Sequence, residues 1–254
     1  MPAPRPADPA RGVANGSGCR RRAGGLIASC AAVGVRLVAL GARSRRLPEL
    51  ALGASYLLFG ALGYPLAAFA RARAAAGDPR AGAWLAAALL AQNLGVLACY
   101  GFNWRVFRPG RRGALAPGAA ALLFAASWLG HGVDPGWAGA TSSGAWYHLG
   151  LATRAAAFVW GGGEAFAHWT RMRRRLRVGL ADPVVSDRML LWAVSSLVIA
   201  LAFSAFFAGK VVLGENAPVV VISASACGLV AAVAMMLAFF PPRVYLRWRE
   251  RYAK

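Results

Sequence analysis

Apolar residues gather along the chain into long blocks separated by short polar connections. Blocks 50–70, 81–102, 113–130, 189–209 and 217–240 hold no charged residue, and 145–169 is apolar apart from Arg154 and Glu164. At ~1.5 Å per residue, each can cross the ~30 Å hydrocarbon core of a bilayer as an α-helix. A seventh block, 23–42, is poorer in strongly apolar side chains and carries Arg36. It reads as a span, because one central Arg costs only about 3 kcal/mol on insertion. The rival reading is a cleaved signal peptide, and Ile27-Ala28-Ser29-Cys30 superficially resembles a lipoprotein cleavage box. The apolar stretch continues past Cys30, which favours the span. The pattern therefore predicts an all-α, polytopic transmembrane helix bundle of seven spans, or six if the first does not insert.

Around that domain, 23–240, residues 1–22 are expected to form a disordered basic tail and 241–254 a basic interfacial tail. The latter sets Val244, Trp248 and Tyr252 at i, i+4 and i+8 among arginines, the pattern of a short helix lying on anionic lipid. Leu47-Pro48 followed by Glu49, and Asp182-Pro183, are helix-start signals. No internal repeat is visible, so the inverted-repeat signature of many transporters is missing.

Composition narrows the class. Of 254 residues, 58% are hydrophobic and 15% charged, which excludes an ordinary soluble enzyme. The charges are lopsided, 29 basic against 9 acidic, for a net +20. Such an excess usually points to nucleic acid, but here the basic residues lie between spans and no nucleic-acid partner is expected. Only Lys210 and Lys254 are lysines, a bias that with abundant Ala and Gly reads as a GC-rich, bacterial genome.

The same residues orient the bundle. Connections 43–49, 103–112, 170–188 and 241–254 hold 18 Lys+Arg, and the alternate set 1–22, 71–80, 131–144 and 210–216 holds 9. The positive-inside rule puts the first set in the cytoplasm, with the N-terminus outside and the C-terminus inside. Trp84, Trp137 and Trp146 mark the outer boundary, and Trp104, Trp169, Trp192 and Trp248 the inner one. One conflict is the run Arg20-Arg21-Arg22 just before the first span. The expected location is the bacterial cytoplasmic membrane, with anionic lipid and an unidentified protein as partners.

Charges inside spans are costly and turn toward the bundle interior. Arg36 and Glu164 each lie seven residues before the basic connection that follows their span, so they share a depth. An Arg36–Glu164 ion pair is the simplest expectation. Arg154 has no acid at its depth and needs the mid-membrane amides Gln92 and Asn93, a carbonyl, water or a bound anion. Arg36, Gln92, Asn93, Arg154 and Glu164 are the candidate ligand-binding residues, lining a polar cavity between helices one, three and five.

Glu164 follows Gly161-Gly162-Gly163, which either loosens the helix or admits a close neighbour. Trp160, Glu164 and His168 share a helical face. His131, Asp134, His148 and His168 are only weak metal candidates, and no metal or other cofactor is expected. Three histidines without an HxxxH pair miss the pattern of the seven-helix zinc lipid hydrolases. A retinal Schiff base needs a mid-span lysine, and there is none. Three of the four cysteines fall in apolar spans and make no CxxC or disulfide framework.

Stretches 45–66, 173–192 and 240–249, about a fifth of the chain, resemble a group of uncharacterised bacterial seven-helix integral membrane proteins. The resemblance implies the seven-helix fold and no activity; some such groups look like the membrane portions of sensors, by fold analogy. The leading expectation is a sensory or ligand-binding module without its own output domain. A small-solute or proton-coupled transporter is the alternative, with Glu164 titrating, and a membrane-embedded lipid-modifying enzyme the third. An enzyme is the less favoured class.

Overall fold

The structure, a computed structural model, describes residues 9–133, 137, 144–213, 218–242 and 244–245; of these, 9–23, 210, 211, 213, 218, 220, 221, 224 and 225 are described through their backbone alone. Among the described residues there is no strand, and seven helices follow one another. They are α1 (Pro9–Ser44), α2 (Leu47–Ala75), α3 (Ala81–Phe107), α4 (Arg111–His131), α5 (Ala145–Leu176), α6 (Pro183–Leu213) and α7 (Pro218–Phe239). α1 reaches back into the stretch expected as a tail, and its apolar part is Gly24–Ser44. Asp134, Trp248 and Tyr252 lie outside the described residues.

Five segments are long and apolar enough to cross a membrane: Gly24–Ser44, Leu47–Ala75, Ala81–Phe107, Arg111–His131 and Pro183–Gly209. α5 is not among them, because Arg154, Glu164, two histidines and three consecutive glycines lower its mean hydropathy. α7 is 22 residues long and carries no charge, and Ala226–Phe239 is its longest stretch described with side chains. Leu115, Leu122 and Leu129 of α4 and Leu201 of α6 are exposed. An outer surface this apolar suits lipid and not water.

Local chemistry starts and stops the helices. Pro48 opens α2, and Glu49 in its first turn accepts a 2.5 Å hydrogen bond from Ser44 Oγ. Asp182 caps α6 by accepting from the Val184 amide at 2.8 Å. Between α2 and α3, the Asp78 carboxylate accepts from the Arg80 amide at 2.9 Å and from Arg73 Nε at 2.6 Å. Those bonds, the amide's foremost, hold its carboxyl below the usual carboxylate range.

α2 is not uniform. Residues Tyr56–Gly63 form a π-helical turn, immediately followed by Tyr64 and Pro65. Proline has no N–H to offer the Ala61 carbonyl and its ring needs room, so the helix widens ahead of it.

Each helix packs on its sequence neighbours, α7 returns to α1, and α3 also touches α5. The result is a closed ring with α4 displaced outward. Small residues let the helices approach: a Cβ on Gly53 would sit 2.8 Å from the Val38 backbone nitrogen, and one on Gly60 would collide with Cys30. Toward the arginine-rich end the interior is filled by Phe102 stacked on Trp192 at 4.8 Å, with Phe107 and Phe239 against them. At the other end the ring encloses a cavity.

Candidate functional site

The cavity has a volume of about 330 Å³ and is walled by every helix except α4. That volume lies at the lower end of the range for small-molecule sites. Most of the wall is apolar. Phe59 from the π turn, Phe158 from α5 and Phe203 from α6 meet with ring centroids 5.6, 5.8 and 5.9 Å apart. Arg71, exposed near the end of α2, lines the cavity where it reaches the surface.

Arg154 is the charged group inside. It stands nine residues along α5, about 13 Å from the helix start, and is 3% exposed. Its Nε and Nη2 both donate to Asn93 Oδ1, at 3.1 and 2.7 Å. Among the described residues nothing else accepts from this guanidinium and no Asp or Glu lines the cavity. A buried charge held by one neutral acceptor is costly unless something further solvates it. Gln92 and Tyr64 line the same space, and neither side chain makes a hydrogen bond among the described residues. Gly63 lets Gln92 lie flat against the π turn, because a Cβ there would strike Gln92 Cγ.

A polar seam holds α3 to α5 behind Arg154. Asn93, Val96, Tyr100 and Asn103 recur along one face of α3 and are all buried. Tyr100 Oη donates to the Thr153 carbonyl at 2.9 Å, and Asn103 Nδ2 to the Ala157 carbonyl at 3.1 Å. Gly161 and Gly162 permit this contact and the next one. Added Cβ atoms would lie 2.9 Å from the Asn103 amide and 2.8 Å from Leu197 Cγ of α6, whereas Gly163 faces open space.

The expected partnership of Arg36 and Glu164 is not formed. Glu164 Oε1 accepts from Arg108 Nε at 2.6 Å, at the end of α3. Arg36 is exposed, its guanidinium 4.5 Å above the Phe240 ring. Their spacing along the chain suggests a common depth, but α1 is flanked by α2 and α7 while α5 stands elsewhere in the ring. Height along the axis did not determine azimuth. Of the five expected site residues, Gln92 and Arg154 line the cavity and Asn93 braces Arg154 from α3. Arg36 and Glu164 do not line it, and the wall extends to α2, α6 and α7 beyond the three helices expected.

The histidines sit apart. His131 is buried at the end of α4, its ring 4.9 Å from Trp137 and 6.3 Å from Tyr147. His148 packs 5.1 Å from Phe207, and His168 is exposed near the opposite end of α5. Among the described residues no three His, Cys, Asp or Glu side chains come together as metal donors.

Sequence reasoning missed Tyr64, Arg71 and the aromatic wall. A signal was present in Gly60, Gly63 and Pro65 interrupting one span. Compared with known protein families, with curated proteins and with solved structures, the chain has no match.

Proposed function

We propose that this chain is a seven-span protein of the bacterial cytoplasmic membrane, N-terminus outside, whose central cavity binds a ligand. It acts as a sensory module and passes its signal to a separate protein. One observation carries the reading: Arg154 is buried in a cavity of ligand size with most of its donors unused among the described residues. The positive-inside count supports the orientation, and α5 inserts despite its charges because they face protein. Anionic lipid is the partner at the cytoplasmic rim. There Trp169, Arg173 and Arg177 line a groove, with the Arg173 guanidinium 5.3 Å over the Trp169 ring.

The test is ligand-dependent stabilisation of the detergent-purified chain against a panel of small molecules, since a ligand bound only to the folded state raises its melting temperature. A molecule that stabilises the chain and not Arg154→Gln supports the reading. Stabilisers that act equally on both contradict it.

A transporter is the second reading, favoured by the π turn in the cavity wall, the type of element that marks functional sites and can rearrange. Proteoliposome flux separates the two: solute movement favours transport, and binding without flux favours sensing.

A further inference from the structure

We infer that the cavity's ligand is a single-chain amphiphile with an anionic head group, held head-first on Arg154 with its tail along the aromatic wall. The inference rests on the ligand-binding reading above and adds the chemical class.

The head is anionic because the polar part of the cavity is built of a cation and neutral hydrogen-bonding groups. Arg154 keeps three N–H groups beyond those given to Asn93, and a guanidinium fork pairs two of them with one carboxylate or phosphate. The Gln92 amide and the Tyr64 hydroxyl line the same cavity with no hydrogen-bond partner among the described residues. Tyr64 follows directly on Gly63, against which Gln92 packs, and its ring lies 5.2 Å from Phe59 of the wall. The second cation, Arg71, lies where the cavity reaches the surface and adds to the field that draws an anion in. A cationic head is repelled by Arg154 and Arg71, and a small hydrophilic anion leaves the apolar wall unfilled.

The tail follows from that wall. Leu89, Phe158, Ile199, Ala202, Phe203 and Phe206 offer no polar side-chain atom. A cavity of about 330 Å³ is of the size that takes a small ligand, and a short alkyl chain suits its apolar wall. Each buried methylene adds about 0.8 kcal/mol, so tail length sets affinity.

The experiment uses the full chain in phosphatidylcholine nanodiscs, with empty nanodiscs as the blank. A fluorescent undecanoic acid is displaced by decanoate, decyl phosphate, decanol or decyltrimethylammonium. Decanoate or decyl phosphate should displace it, and which of them acts identifies the head as carboxylate or phosphate. Decanol should be about ten- to hundredfold weaker, the loss of charge-assisted hydrogen bonds, and the ammonium ineffective. Arg154→Gln should remove the difference between decanoate and decanol.

Because Arg154→Gln alters a buried polar pair, Ala202→Phe serves as a second variant. It narrows the cavity while keeping Arg154, and it should weaken decanoate more than hexanoate. Equal binding of decanol and decanoate, or a charge preference that survives Arg154→Gln, overturns the anionic class while the ligand-binding reading stands. No displaceable binding by any of the four sinks both.

Discussion

Arg154 and Asn93 form the most exacting contact at the residue scale, because a single amide oxygen holds a buried guanidinium. Removing that oxygen should cost more than removing a surface pair. Asn93→Leu is expected to destabilise by about 2–3 kcal/mol, and Arg154→Leu added to it should recover part of the loss, read by thermal unfolding in one detergent. Recovery distinguishes a charge stranded by the mutation from a simple packing defect. Glu164 and Arg108 differ, since the arginine side chain is 66% exposed. Glu164→Gln should cost under about 1 kcal/mol. Exchanging Arg36 and Glu164 should restore nothing relative to the single changes, whereas exchanging Arg108 and Glu164 should. These pairings show what was readable in the chain. That Arg154 needs a polar partner, with the Gln92 and Asn93 amides among the candidates, followed from residue type and depth. Which basic group meets Glu164 did not, because several arginines lie at that depth and only the ring order chooses among them.

Elements were legible where hydropathy alone decides. Six of the seven apolar blocks lie within α1 to α6, which run past them because a helix does not end where its apolar stretch does, and the seventh, 217–240, extends beyond α7 (Pro218–Phe239). The π turn was not legible, since it depends on Pro65 acting together with close packing against Cys30 and Gln92. Nor could the chain alone say whether Gly161-Gly162-Gly163 is a hinge or a contact surface. Packing divides the three. Gly161→Ala and Gly162→Ala should each destabilise, as their Cβ atoms press on Asn103 and Leu197. Gly163→Ala meets nothing within 4 Å and should stabilise by about 0.5–1 kcal/mol through helix propensity. Melting temperatures of the three single variants check this. Equal effects would mean that the glycines act as one flexible segment.

At the scale of the whole molecule, function depends on how the ring sits in lipid. Seven passes with the arginine-rich connections inside put the Arg71 end of the cavity toward the exterior. That is the side from which a sensory module would sample ligand. An inverted bundle would open the cavity on the opposite side and detach the sensory reading from its geometry. Paired reporter fusions after residues 77 and 179 decide the matter, using alkaline phosphatase, active only outside, and green fluorescent protein, fluorescent only in the cytoplasm. Fluorescence at 179 with phosphatase activity at 77 is the expected result. Phosphatase activity at 179 would contradict it.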